Sequence, residues 1–274
     1  MSEGVITVQD FSGKILTESD INSRLEELIS HILEDPKLKT FRTDHGFLLR
    51  FLHCAEFSIP LSLTKIRNYY NLVLEYPNWF AVQSPLEFKD KLEYNDKIIL
   101  KERDRNGRSI FILKTGKIRT DNSCPQQEAQ ILELWMEYFA DSFETQRHGV
   151  SAILDMKDYS WKLFRWLTPT NIKISAKKID AYPIKDLVIH VVNTSFLLNA
   201  SIKLIWPFFN DRLRHMFKFH YDSWESLHKY INPEHLPAEY GGTGSNLEFD
   251  KAIHRLIDKS DEIKVKLSKQ KVIN

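Results

Sequence analysis

The sequence predicts a mixed α/β fold behind an N-terminal helical unit, and three observations carry that prediction. Apolar residues recur at helical spacing through residues 17 to 80. Two strand-like runs, 97–104 and 108–115, are then joined by Arg105-Asn106-Gly107, where Asn-Gly suits a hairpin turn. Short β-branched runs alternate with helical segments from there to about residue 221, the pattern of strands buried beneath helices in a mixed sheet.

Each element has its own signal. Residues 17–35 open on a Thr17-x-x-Asp20 capping pattern, place Ile21, Leu25, Leu28, Ile29 and Ile32 at helical spacing, and stop at Pro36. Thr43 or Asp44 can cap the next helix, with Phe47, Leu48, Phe51 and Leu52 as its apolar stripe. Pro60 fits the first turn of a third helix that runs to about Glu75, because the missing N–H costs nothing there. Beyond the hairpin, a long helix is expected from Pro125 to about Glu144, a buried strand over 150–156 and a helical stretch over 160–180. A second buried strand over 186–192, a helix from Asn199 to Met216, a short strand over 217–221 and a helix over 223–231 follow. One more helix is expected beyond Gly244.

Composition narrows the function classes. Hydrophobic residues are 42% and charged residues 27% of 274, with Lys+Arg 38 against Asp+Glu 37, so no global field draws the chain to nucleic acid. Cys54 and Cys124 lie in unrelated segments and suggest neither a disulfide framework nor a thiolate metal site. The first residues lack a basic stretch followed by an apolar run, and no apolar run reaches a membrane span, so a cytoplasmic protein is expected. His215, His220, His228 and His235 match no compact metal pattern, and no G-x-S-x-G elbow is present. Gly241-Gly242-Thr243-Gly244 lacks the Lys-Ser/Thr of a phosphate loop and reads as a structural turn. His190, inside an apolar strand, reads as a hydrogen-bonded core residue. No catalytic constellation, metal or cofactor is called for.

The segment 196–213 is the most informative. Leu198, Ile202, Ile205, Phe209 and Leu213 form one helical stripe, while Phe196, Leu204, Trp206 and Phe208 extend beyond it. A helix this apolar needs a cover on two sides, and its length suits a core helix or a membrane-surface element. Pro207 inside the pattern is expected to bend it, which favours a mobile element. Lys185, Lys203, Arg212, Arg214 and Lys218 lie around it, and each adds about 1 kcal/mol near an anionic bilayer.

Several ordered motifs resemble those of the CRAL-TRIO lipid-transfer family, in the branch of the alpha-tocopherol transfer protein and the cellular retinaldehyde-binding protein. They are DHGFLLRFLHCAEF (44–57), ETQRHGV with AILD (144–155), Tyr182-Pro183 leading to IHVVN (189–193), KLIWPF (203–208) and LHKYINPEHLPAEYGG (227–242). The resemblance implies an N-terminal helical part over 1–90, a lipid-binding domain over 91–245 with a mixed-sheet floor and a mobile lid helix, and a helical tail over 246–274. It implies one hydrophobic ligand held by Leu132, Met136, Val150, Leu154, Tyr159, Leu167, Ile189, Ile205 and Phe209, to which the lid stripe adds Leu198 and Ile202. Where the branch carries hydroxyls on its long helix, this chain has Leu132, Trp135 and Met136. Of the branch's phosphoinositide-binding positions, Lys185 and Arg212 remain basic while Leu187 and Met216 do not, and Arg214 and Lys218 lie nearby to compensate. The expected protein is a non-enzymatic monomer that carries a tocopherol-, retinoid- or carotenoid-like lipid and opens at anionic membranes, peripheral to them. The alternative is a phosphoinositide-responsive signalling or trafficking adaptor of the same fold.

Overall fold

The computed structural model describes residues 8–269. A small hairpin, β1 (Val8–Gln9) and β2 (Ile15–Leu16), precedes three helices, α1 (Glu18–Glu34), α2 (His45–Cys54) and α3 (Ile59–Glu75). At the head of α1, Thr17 accepts from the Asp20 backbone while the Asp20 carboxylate accepts from the Thr17 backbone, the reciprocal cap its spacing predicts. Pro60 sits in the first turn of α3. These helices close over one core in which Phe41, Phe47, Phe51 and Tyr69 meet edge-to-face at 5.2–6.5 Å.

After the one-turn α4 (Lys89–Leu92) comes the sheet, in the order β3 (Lys97–Arg103), β4 (Ser109–Lys114), β5 (Val150–Asp155), β6 (Leu187–Val192), β7 (Phe217–Tyr221). The first pair is antiparallel and the others parallel, so the sheet is mixed as predicted. The hairpin turn is wider than a two-residue Asn-Gly turn. Asp104 accepts backbone bonds from Asn106 and Arg108, and Gly107 supplies the positive φ of 82°. Gly149, just before β5, has φ 90°, and a Cβ there would lie 2.0 Å from the Asp186 carbonyl oxygen, so only glycine lets the two chain segments approach.

Three segments expected as single helices are each split by a side-chain cap. The long helix divides into α5 (Pro125–Phe139) and α6 (Phe143–His148), because the Ser142 hydroxyl accepts from the Thr145 N–H and starts a new helix. The stretch over 160–180 becomes α7 (Trp161–Phe164) and α8 (Pro169–Ala181), with Thr168 capping Asn171 and Pro169 opening the second piece. The segment from Asn199 to Met216 is α9 (Phe196–Ile205), a 3₁₀ turn Trp206–Phe208 and α10 (Asp211–Met216), with Asn210 accepting from the Leu213 N–H. Pro207 therefore ends a helix rather than bending it. The run over 223–231 is helical only in α11 (Trp224–His228), and the C-terminal segment forms two helices, α12 (Phe249–Asp258) and α13 (Ser260–Ser268).

The sheet has two unlike faces. Register places Ala152, Ile189 and Phe217 side by side on one, with Leu154, Val191 and Phe219 in the next row. On this face Phe111 of β4 packs against Trp135 and Phe139 of α5, while α9 and α10 lie over β5, β6 and β7. The opposite face is sealed by the segment after β7, where Tyr240 donates to Asp155 at 3.0 Å and Tyr230 packs on His190. Residues of α12 and α13, including Ile253, Leu256 and Ile263, join the main core.

Candidate functional site: an apolar seam between sheet and lid

Leu198 and Ile202, one turn apart on α9, meet Met156 together with Leu154, Ile189, Val191, Phe217 and Phe219 of the sheet. Most of these side chains are only half-buried, so both walls of the seam keep apolar surface that closer packing would remove from water. The α10 end is tighter. Phe209 and Leu213 are buried against Ala176 of α8, with Ile179, Ile205, Trp206, Met216 and Phe217 around them. Trp206 links the two ends through ring contacts at 6.2 Å with Phe209 and 5.8 Å with Phe219. Outside the seam, Phe196 is 79% exposed and Trp161 60% exposed, an apolar rim along α9 and the neighbouring α7.

Set into the apolar wall is a pair of hydroxyls. Tyr159, in the loop after β5, places its OH 3.0 Å from Ser201 Oγ on α9, and Ser201 donates to the Leu197 carbonyl at 2.8 Å. Ser201 is buried and Tyr159 half-buried, and burial raises the pKa of the Tyr159 phenol.

The structure thus brings together Leu154, Tyr159, Ile189, Leu198 and Ile202 in one cluster, and Ile205 and Phe209 in the adjoining one. Met136 and Val150 are instead buried in the main core, with Leu132 packed half-buried against it. Leu167 is half-buried in the turn between α7 and α8. Sequence reasoning missed Met156, Val191, Ser201, Phe217 and Phe219. The period of two in Phe217-Lys218-Phe219 was a usable signal for the last pair. Ser201 carried none, because a serine in an apolar helix reads as a filler.

The basic residues divide by environment. Arg212 pairs with Asp180 of α8 at 2.8 Å, and Arg214 lies 3.5 Å from Asp211 while donating to the Trp206 carbonyl at 3.0 Å. Lys185 and Lys218 have no acidic partner among the described residues. Lys185 lines an open cleft of about 480 Å³ with Arg147, His148, Gln9 and His53, away from the seam. Burial, then the charges of Lys185 and Arg147, lower the pKa of His53 to about 4. A second open cleft, of about 310 Å³ between α3 and α8, includes Arg212, Lys65 and Lys177.

Other chemistry-bearing residues are structural. His190 Nδ1 and His220 Nε2 lie 2.8 Å apart, with Ser151 on the far side of His190 and Ser226 on the far side of His220. Burial, with His220 alongside, pulls His190 down to about 3, and burial pulls His220 down to about 4, so both rings are neutral at physiological pH. The Gly241–Gly244 loop packs on its own turn, and a Cβ at Gly242 would lie 2.0 Å from the Leu236 carbonyl oxygen. Among the described residues no group of three or more His, Cys, Asp or Glu side chains is placed to hold a metal, and no helix is long and apolar enough to cross a membrane.

Comparison with known proteins gives a consistent similarity. The family described as CRAL/TRIO domain matches residues 93–242, which span the sheet and α5 to α11 and end within the glycine loop. Clavesin-1 of Rattus norvegicus is 28% identical over 227 residues, covering 81% of this chain and 64% of that protein. Alpha-tocopherol transfer protein-like of Homo sapiens is 28% identical over 220 residues, covering 78% of this chain and 63% of that protein. The chain thus spans a little under two thirds of the length of these relatives. The crystal structure of Sfh5 has a TM-score of 0.51 and 14% identity, covering 86% of this chain and 92% of that one, which is a likeness of fold.

Proposed function

Because the chain belongs to the CRAL/TRIO domain family, we propose that it carries one small hydrophobic lipid, tocopherol-, retinoid- or carotenoid-like, between membranes without altering it chemically. The observation that supports this most is the seam, whose floor and lid offer matching apolar faces that are only half-buried against each other. A lipid of about 30 heavy atoms at roughly −0.3 kcal/mol per atom gains about −9 kcal/mol, a sub-micromolar dissociation constant. The pieces of the lid differ in their hold. Phe209, Leu213 and the Arg212–Asp180 pair fix α10 to α8, whereas α9 rests on Leu198, the half-buried Ile202 and the Ser201 hydroxyl, so in this reading α9 lifts and α10 is its anchor.

Membrane contact follows from the outer surface. The exposed rim of Phe196 and Trp161 enters the interface, while Lys203 on α9 and Arg212 and Arg214 beside it meet anionic headgroups; Lys185, in the cleft away from the seam, and Lys218, beside His190 on the opposite face of the sheet, stand apart from that rim. The test is transfer of bound lipid between vesicles, with the recovered lipid identified by mass spectrometry. Intact lipid, transferred faster to anionic than to neutral vesicles and slowed by salt, is the expected result. A chemically altered product in proportion to protein would move the function to catalysis. Lys203→Glu is the cleaner charge variant, because Lys203 is exposed on α9, whereas Arg212→Glu would face Asp180 and loosen α10 as well. It is expected to slow transfer to anionic vesicles about tenfold with unchanged equilibrium binding.

The adaptor reading draws support from Lys185 and Arg147, two cations in a cleft away from the seam that they share with Asp10 and Glu56. Retention on phosphoinositide vesicles with no lipid exchange would favour it.

A further inference from the structure

Hydrogen accounting at the Tyr159–Ser201 pair leaves a defined vacancy in the seam. A serine hydroxyl has one proton, and Ser201 gives it to the Leu197 carbonyl at 2.8 Å, an oxygen that can only accept. The 3.0 Å contact between the two hydroxyls must then be donated by Tyr159. Both protons are committed. What remains on both oxygens is acceptor capacity, one free lone pair on each after Ser201 has accepted from Tyr159. Leu198, Ile202 and Met156 share the apolar cluster to which Tyr159 belongs, and water excluded from it by a bound ligand could not serve those lone pairs.

We propose that the Tyr159–Ser201 pair anchors the polar end of the ligand and selects a lipid alcohol over the aldehyde or ester of the same skeleton. The inference rests on the carrier reading and adds a head-group chemistry to it. An alcohol donates its proton into the acceptor pair. A carbonyl brings only acceptors, which face the two oxygens unpaired and lose the hydrogen bonds they had in water. Leu132 and Met136 on α5 lie with the main core among apolar neighbours and offer no polar partner, whereas the hydroxyl pair stands at the joint between the β5–α7 loop and α9. Because Ser201 rides on α9, lifting that helix separates the two hydroxyls and releases the ligand's end together with its apolar body.

The probes are retinol, retinaldehyde and retinyl acetate, which share one polyene skeleton and can be followed by their own absorbance and by quenching of protein tryptophan. Retinol is expected to bind about tenfold more tightly than either carbonyl form. Ser201→Ala removes one acceptor and frees the Tyr159 proton, so the preference is expected to swing toward retinaldehyde. Tyr159→Phe is expected to bring the alcohol and the aldehyde within about twofold of each other. Ser201→Thr retains a hydroxyl and is expected to keep the parent order. It also controls for folding, as do melting curves for all three variants. Equal binding of alcohol and aldehyde by the parent, or a preference that survives both Ser201→Ala and Tyr159→Phe, overturns the proposal and leaves the carrier reading standing. Failure of all three retinoids to bind overturns the proposal, and the carrier reading then stands or falls on the vesicle transfer of intact lipid.

Discussion

Glu137 on α5 lies between two arginines from α2 and its approach. Arg50 Nη1 is 2.8 Å and Arg42 Nη1 3.2 Å from its carboxylate oxygens, and all three side chains are 1% exposed. Burial pushes the Glu137 carboxyl up, but the Arg50 and Arg42 guanidiniums prevail and its pKa lies below the ordinary value. Asp44 and Asp141 satisfy the remaining N–H groups. Such a cluster adds little over a well-packed apolar one, yet breaking it is costly, because two guanidiniums would stay buried with one carboxylate fewer. Glu137→Ala is expected to lower stability by roughly 3–5 kcal/mol, read as a drop in urea midpoint with an unchanged slope. A loss below about 1 kcal/mol would mean that water reaches the arginines. Ile189 makes the opposite case in the seam. A carboxylate at that position would lie among Leu154, Val191 and Phe217 without a cation, so Ile189→Asp is expected to weaken lipid binding more than tenfold. Unchanged affinity in a folded variant would remove Ile189 from the ligand site.

At the scale of elements, what could be read from the sequence depended on how local the cause was. Thr17 and Asp20 lie three apart and bond each other, so the head of α1 was legible from four residues. The three helix breaks were equally local, at Ser142, Thr168 and Asn210, but in the segment 196–213 the apolar stripe ran straight through the break. It did so because both halves pack toward the same side: Phe209 and Leu213 flank the Asn210 cap and share one cluster. The positions of β3 to β7 were legible within one or two residues, while the short pair β1 and β2 was not, and the alignment of Ile189 beside Phe217 is a property of register that needed the fold. The head of β5 offers a test at this scale. Gly149→Ala combines a left-handed backbone with a Cβ against the Asp186 carbonyl, and is expected to cost more than the roughly 1 kcal/mol of an exposed Gly–Ala exchange. Thermal unfolding of that variant within a degree of the parent would show that β5 and the Asp186 loop can part without penalty.

For the whole molecule, the pH dependence of stability reports on groups buried neutral. His190, His220 and His53 have folded pKa values of about 3, 4 and 4 against an ordinary 6.5. The unfolded chain therefore takes up protons first as pH falls below about 6.5, and the folded state loses stability until the folded pKa values are reached. Each group contributes at most about 1.4 kcal/mol per pH unit within that window. Urea midpoints are expected to be level between pH 7 and 8 and to fall steadily from 6.5 to about 5.5, above the range in which carboxylates protonate. A flat profile over that interval would show that these rings are protonated in the native state. The change of period after residue 80 is a local signal in the sequence, whereas the inclusion of α12 and α13 in the main core was not legible there. An amphipathic helix shows that it has an inner face but not which surface that face will meet.

The order of the sheet also bears on how the chain is made. From β4 onward each strand pairs with the one before it in sequence, across intervals of 35, 31 and 24 residues. Synthesised from its N-terminus, the chain never has to insert a strand between two that are already joined. Each new strand docks on the outer edge of a finished one, and at about 5–20 residues per second that edge waits only a few seconds for its successor. Unpaired edges invite association between nascent chains, and here the wait shortens with every strand added.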